Sequence, residues 1–346
     1  MQDKIPGDLI ISTSEGAGWD NYVLGHPGSF FYHLYGWSGA FQETFGFKRY
    51  YLQAKVGEKV CGILPLILAE AAFSRKLVSI PVGAHASVLA DDINIENALI
   101  LRAQELAGNL KCDYLELRGK KSAGQEFITK DLYVNFIKPL PQNKEECLLR
   151  MPRKARASAR HAIDSGLTCE IGLTYFDICY EIYARNQKHL GSPVVAKQWF
   201  EVLARNFRDK TNILVVKHNG KCIASVLAFF YKDTVIPFYG ASLPGYDKYY
   251  PNNFMYLKLQ EYGVEKNYKY FDFGRSRKGA GSYYFKINQG FEPAQLYYQY
   301  FLCAAKKIPD INPSNKKFDL ARLAWRRLPL FMTKRLGPII FKYVMP

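Results

Sequence analysis

The stretch YKYFDFGRSRKGAGSYYFKINQGFEPAQLYYQY, residues 268–300, decides how the rest of the chain is read. It opens as a short apolar strand, Tyr270 to Phe273, and breaks at Gly274. Arg275, Ser276, Arg277 and Lys278 then stand at the strand's end. Gly279, Gly281 and Ser282 follow, where backbone N–H groups can be exposed. A short segment carries Lys286 and stops at Gly290, and an aromatic strand runs from Gln295 to Leu302. Strand, cationic turn, Gly-rich turn, short helix and strand make an anion site at a strand end and helix N-terminus. Taken alone, the same residues also fit a basic surface turn between two core strands.

Upstream, the chain reads as the same unit written twice: helices, antiparallel strands, a helix, a strand, a short connection and a final strand. GEKVCGILPLIL (57–68) resembles GKCIASVLAFFY (220–231), and CDYLELRG (112–119) resembles YKYFDFGR (268–275). Arg118 and Arg275 therefore fall at near-equivalent strand ends. After its arginine the first copy continues GKKSAGQEF (119–127), with no counterpart of Phe285-Lys286, so the chemistry is expected in the second copy. The fold class is α+β: tandem duplicated units of mixed, mainly antiparallel sheet flanked by helices, with a C-terminal helical tail. The expected division is 1–145, 146–310 and a basic amphipathic tail, 311–346.

The 346 residues suit about two domains. A net charge of +16 favours anionic partners: nucleic acid, anionic lipid or phosphorylated substrates. Seven scattered cysteines without a C-x-x-C imply a reducing compartment, no disulfide framework and no zinc site. There is no G-x-S-x-G elbow, no H-E-x-x-H and no Ser-His-Asp ordering. The first residues lack a signal-peptide pattern, and no run of about 18 apolar residues suggests a spanning helix. A cytoplasmic protein is expected, peripheral on the inner face of the membrane if the tail binds lipid.

PRKARASARHAIDSGL (152–167), HLGSPVVAKQWFEVL (189–203), FDFGRSRKGAGSYYFKINQGFEPAQLYYQY (271–300) and INPSNKKFDLARLAWRRLPLFMTKRLGPII (311–340) resemble the FemAB-like transferases of the GNAT (acyl-CoA N-acyltransferase) superfamily. Within these, the stretches are most similar to FemAB-related proteins associated with exosortase/PEP-CTERM and exopolysaccharide loci. The resemblance implies joining an acyl or aminoacyl group to an amine of a cell-envelope or exopolysaccharide precursor, an amino sugar or a peptide. It matches Phe285-Lys286 to a position where lysine lies near the acyl carbonyl. There a fixed ammonium stabilises the oxyanion built by amine attack. Capping of its short helix is the structural alternative for Lys286.

Lys286 and Arg275 are thus the expected catalytic residues. Arg277, Phe285, Tyr239, Asn253, His189, Ser192, Arg153, Lys154 and Arg156 are expected to bind substrate. Arg275 and Arg277 suit a phosphate or carboxylate held bidentately, and an Arg275–Asp272 pair is the structural alternative. Arg153, Lys154 and Arg156 suit a phosphorylated sugar carrier or tRNA, or a solvated helix face.

The activated donor stays open between aminoacyl-tRNA and acyl-CoA. The loop GASLPGYDKYYPNN (240–253) has glycines but not the Q/R-x-x-G-x-G/A spacing that holds the CoA pyrophosphate, and SVLADDINIEN (87–97) lacks it too. Expected partners are a phosphorylated or lipid-linked glycan or peptide precursor, tRNA and an anionic membrane surface, with no metal and no tightly bound cofactor. From Lys316 onward the tail has eight basic residues against Asp319, and Pro329 and Gly337-Pro338 interrupt its apolar residues, so two short amphipathic helices on lipid compete with a strap packed on the second unit. A non-catalytic glycan- or RNA-binding protein on the same fold is the alternative function, and an acetyl-CoA-dependent N-acetyltransferase a third.

Overall fold

The computed structural model describes residues 8–13, 16–71, 74–121, 123–308 and 319–344. In chain order the elements are β1 (Leu9–Thr13), α1 (Trp19–Gly25), α2 (Tyr35–Phe45), β2 (Lys48–Val56), β3 (Lys59–Ala71), β4 (Ser74–Val78), β5 (Leu89–Ala90), α3 (Ile93–Asn109), β6 (Tyr114–Gly119) and β7 (Ile128–Lys130). There follow β8 (Tyr133–Pro139), α4 (Lys144–Leu149), α5 (Arg153–Asp164), β9 (Thr168–Ile171), α6 (Phe176–Leu190), α7 (Lys197–Asn206), β10 (Thr211–His218), β11 (Lys221–Tyr231) and β12 (Thr234–Ser242). The chain ends with α8 (Pro251–Glu265), β13 (Tyr270–Arg277), α9 (Gly281–Asn288), β14 (Pro293–Gln295), β15 (Tyr297–Leu302), α10 (Asp319–Arg327) and α11 (Leu330–Val344).

The elements form two compact units. One comprises Met1–Tyr133, Gln295–Ile311 and Lys342–Pro346; the other comprises Val134–Ala294 and Asn312–Phe341. The first sheet has the order β1-β2-β3-β4-β6-β15-β7, with β5 on β3; the second has the order β14-β8-β13-β12-β11-β10-β9. The architecture is the expected α+β duplication with a helical tail.

The boundaries differ from 1–145 and 146–310 by one strand each way. β8 lies beside β13 in the second sheet, and β15 lies between β6 and β7 in the first. Alternating apolar residues mark both segments as strands but do not say which sheet receives them.

Each core follows from local patterning. In the first unit, Asp92 caps α3 by accepting from the Asn94 and Ile95 N–H groups. Ile95, Leu99 and Ala103 then pack on Leu52, Leu64 and Leu66 of the sheet. Helix α3 runs on to Asn109, with Gly108 inside its last turn. In the second unit, Asn219 and Gly220 both have positive φ, at 49° and 77°, and close the tight turn between β10 and β11. Phe254, Met255 and Leu259 of α8 pack on Val226, Val235 and Phe271.

The tail is a packed strap. Trp325 and Thr333 are buried. Contrary to expectation, α11 continues through Gly337-Pro338. Gly337 lies so close to the chain at Val194 that a Cβ there would meet the Val194 carbonyl oxygen at 2.4 Å. Leu320, Leu323, Phe331, Leu336 and Ile339 remain exposed on the outer side.

Candidate active site

In the second sheet, β12 and β13 run parallel but pair only at Thr234 with Tyr270 and Val235 with Phe271. Beyond that point β12 continues to Ser242 and β13 to Arg277, so the strands part and their facing peptide groups leave the ladder. Lys286 answers two of them. Its Nζ donates to the carbonyl oxygens of Gly274 and Arg275, each at 2.9 Å.

The neighbours of Lys286 in α9 explain its direction. Phe285 turns to Phe273 and Tyr256, at centroid distances of 6.1 and 5.8 Å. Tyr283 lies 5.7 Å from Phe136. Lys286 is left facing β13, with its ammonium 5.3 Å from the Phe273 ring and 5.4 Å from that of Phe136.

The side chain of Lys286 is only 7% exposed. Burial pulls its pKa from the ordinary 10.5 down to about 7; Asp272 opposes the shift and Arg275 adds to it. Asp272 is itself buried, and its Oδ1 accepts from Asn135 Nδ2 and the Gly274 N–H, both at 2.9 Å. On the elements around Lys286, Ser276 Oγ, Asn135 Oδ1 and Gln289 Oε1 are buried without hydrogen-bond partners. Buried polar atoms are normally satisfied, so these three are where a bound water or a substrate group would find partners.

Arg275 also bears on Tyr239, whose phenol accepts from Trp199 Nε1 at 2.9 Å and stacks 4.5 Å from Phe200. Phe285, Lys286, Arg275 and Tyr239 are thus brought together, with Arg277 closing β13. Asn253 lies in the first turn of α8. Arg153, Lys154 and Arg156 occupy the first turn of α5. Pro152, which precedes it, packs on Gly290 just past the Lys286 helix; a Cβ at Gly290 would meet Pro152 Cδ at 3.0 Å.

His189 and Ser192 lie elsewhere, at the end of α6 and in the loop after it, and His189 is exposed. Asn135 and Lys138 were not legible as site residues. They reach this sheet only because β8 inserts beside β13. Lys138 lies 4.2 Å from the Phe291 ring, and burial pulls its pKa down to about 8.

The first unit closes the corresponding place. β4 and β6 pair in parallel only from Lys76–Tyr114 to Val78–Glu116. The arginine after that point is buried: Arg118 Nε lies 2.7 Å from Glu116 Oε1, and Nη1 donates to the Pro81 carbonyl at 2.7 Å. Burial pushes the Glu116 carboxyl up, but Arg118 and Lys76 outweigh it and hold the group below its usual range. Nearby, His26, His33, His85 and Lys120 line a hollow of about 340 Å³. His85 is buried 3.9 Å from Phe30, with neither ring nitrogen hydrogen-bonded. Among the described residues no cluster of His, Cys, Asp or Glu is suited to hold a metal.

Parted parallel strands in a mixed sheet, repeated in two units, define tandem GNAT-like folds. Residues 150–286 match the family model for the acetyltransferase (GNAT) domain, a match that ends on Lys286. The chain therefore has a GNAT-like fold, with the domain match confined to residues 150–286. FemX aligns with a TM-score of 0.66 at 14% identity, covering 85% of this chain and 98% of FemX. A tandem GNAT protein from the clavulanic acid biosynthesis pathway aligns at 0.53 and 12% identity, over 84% of this chain and 97% of that one. The C-terminal domain of a protein described as a lysylphosphatidylglycerol synthetase from Agrobacterium fabrum aligns at 0.53 and 11%, over 83% and 88%. No curated protein matches the chain by sequence.

Proposed function

We propose that the protein is a FemAB-like N-acyl or N-aminoacyl transferase acting on an amine of a cell-envelope or exopolysaccharide precursor. The observation that carries this reading is the buried Lys286 at the parting of β12 and β13, bonded to the Gly274 and Arg275 carbonyls, with unsatisfied polar atoms of Ser276, Asn135 and Gln289 on the neighbouring elements. The acceptor amine's lone pair attacks the acyl carbonyl carbon. A C–N bond forms and the carbonyl π pair moves to oxygen. Two N–H groups of the Lys286 ammonium are held by Gly274 and Arg275, and the third is directed at that oxyanion. Collapse breaks the bond to the leaving group, a tRNA ribose oxygen or a CoA sulfur. The leaving group takes up a proton, and the amine gives one to water. Arg275 and Arg277 hold the anionic part of a substrate.

GNAT folds usually use an acyl-CoA co-substrate, whereas the 240–253 loop lacks the usual pyrophosphate spacing, which favours the aminoacyl-tRNA donor. The likeness to FemX supports a FemAB-like transfer. No described helix is long and apolar enough to cross a membrane. The outer side of the tail, with Leu320, Phe331 and Ile339 beside Arg327 and Arg335, is the surface that would rest on an anionic bilayer.

Mass spectrometry of envelope glycans and precursor peptides from cells with and without the protein tests the reading. An added acyl or aminoacyl mass that depends on the protein is expected. Identical masses, with salt-dependent RNA or glycan binding intact, would favour the non-catalytic alternative. Stabilisation by acetyl-CoA would favour the CoA-dependent one.

A further inference from the structure

The transfer chemistry at Lys286 leaves one buried carboxylate on the same strand without a role. Alternation along β13 puts Asp272 on the face opposite Phe271 and Phe273, whose rings belong to the core with α8. A carboxylate inside a sheet is costly unless its oxygens are bonded. Two donors meet Asp272 Oδ1: Asn135 Nδ2 from the neighbouring strand β8 and the Gly274 N–H two residues on, each at 2.9 Å.

The second of these bonds reaches the lysine. Gly274 has φ 71°, a left-handed conformation that glycine takes without strain, and the carboxylate closes the turn across it. Gly274 receives the carboxylate on its N–H and the Lys286 ammonium on its carbonyl oxygen, both at 2.9 Å. One glycine therefore links the two charges. The direction of its carbonyl, and with it that of the ammonium, follows from where Asn135 holds the carboxylate.

The charged and titratable groups around Lys286 are Asp272 and Arg275 on β13, Lys138 on β8, Tyr256 on α8 and Tyr283 on α9. Burial holds the Tyr256 phenol neutral. Burial of the lysine and the charge of Arg275 both work against the ammonium. Asp272 is the one carboxylate among the described residues that favours it.

We propose that Asp272, held by Asn135, is a positioning residue for the acyl transfer at Lys286: it fixes the Gly274 turn that aims the ammonium and supplies the negative charge that keeps it protonated. This role rests on the proposed transfer at Lys286. The carboxylate touches no reacting atom and acts through Gly274 and through its field.

The test is carbon NMR of the full chain labelled at lysine Cε and aspartate Cγ, with the Lys286 signal assigned by its absence from Lys286→Met. Asp272→Asn keeps the size of the side chain and an oxygen for the Gly274 N–H, and removes the charge. Its Lys286 midpoint should fall by about one pH unit from that of wild type. The exchange Asn135→Asp/Asp272→Asn returns the charge one hydrogen bond away and should recover about half of that fall or more. In wild type the Asp272 carboxyl signal should inflect at the lysine's midpoint, near pH 7, and lose that inflection in Lys286→Met. This second readout does not need Asp272→Asn to fold. In cells making each variant, modified precursor per folded protein should fall about five- to tenfold in Asp272→Asn and recover in the exchange. An unmoved midpoint in folded Asp272→Asn, no carboxyl inflection in wild type, or undiminished product overturns the proposal and leaves acyl transfer at Lys286 standing. Product missing from wild type as well would instead sink the transfer reading, and the NMR midpoints would still decide whether Asp272 controls the lysine's charge.

Discussion

Replacing Lys286 with Met separates the chemistry of the site from its stability, because the two should move in opposite directions. The wild-type ammonium is buried, and its pKa falls from 10.5 to about 7. At about 1.4 kcal/mol per pH unit, keeping it charged in the folded protein costs about 4–5 kcal/mol below pH 7. Methionine removes that cost, keeps a linear side chain between Phe136 and Phe273, and gives up the bonds to the Gly274 and Arg275 carbonyls. Those bonds return about 1.5–3 kcal/mol each, so the variant should fold with stability equal to or slightly above wild type at pH 6.

The sign of the pH dependence is fixed. Between about pH 7 and pH 10.5 the unfolded lysine holds a proton that the folded one lacks, so wild-type stability gains with rising pH from this group. The Met variant lacks that gain. Its advantage should therefore shrink between pH 7 and pH 10 in denaturant titrations. Turnover should behave differently. Loss of one oxyanion donor costs about 10²–10³ in rate, to be read as the yield of the modified precursor per folded protein by mass spectrometry. Wild-type yield in a folded Lys286→Met protein would refute the catalytic role. Undiminished yield with a lost pH slope would leave Lys286 as a helix-end packing residue.

Glu116→Gln strands Arg118 as a buried, unpaired charge and should cost about 3–5 kcal/mol in urea unfolding; a loss under 1 kcal/mol would mean that water reaches Arg118. Gly191→Ala forces an L-residue to φ 75° against Arg322, and should cost about 1–3 kcal/mol and hasten proteolysis between α10 and α11. His85 is held neutral by burial, with Lys120 and His33 adding to the effect, so its folded pKa lies well below 6.5. The unfolded state therefore takes up a proton first, and stability should fall as pH drops through 6.5. His85→Phe should flatten that limb of a thermal-melting series, and an unchanged limb would assign it to other groups.

The duplication was legible because it rests on repeated local patterns. GEKVCGILPLIL and GKCIASVLAFFY both became β3-type hairpin strands, β3 and β11, each opening from a tight turn. The grouping of Arg275, Phe285 and Lys286 was legible for a similar reason, since one short strand–turn–helix carries all three. Asn135 and Lys138 were not, because a residue's distant sheet partner leaves no mark in its own segment.

The path of α11 was also misread. Gly337-Pro338 normally ends a helix, but here the glycine is required by the contact with Val194 and the helix runs on. His189 is expected among the substrate residues because it opens HLGSPVVAKQWFEVL, a stretch that carries the family resemblance, and Gly191 in that stretch also serves the packing of α10.

The exchanged strands impose a timetable on synthesis. β15 pairs with β6 from Tyr297–Gly119 to Leu302–Tyr114, and Tyr300 meets Glu116 across 184 residues of chain. At about 5–20 residues per second, a ribosome needs roughly 10–40 s to supply the strand that covers the Glu116–Arg118 pair. Throughout that interval the nascent first sheet has an open edge at β6, carrying ionised groups that are later sealed from water. Such an edge can accept a strand from another chain, and the charges at Glu116 and Arg118 make that wrong pairing costly until the chain's own β15 arrives.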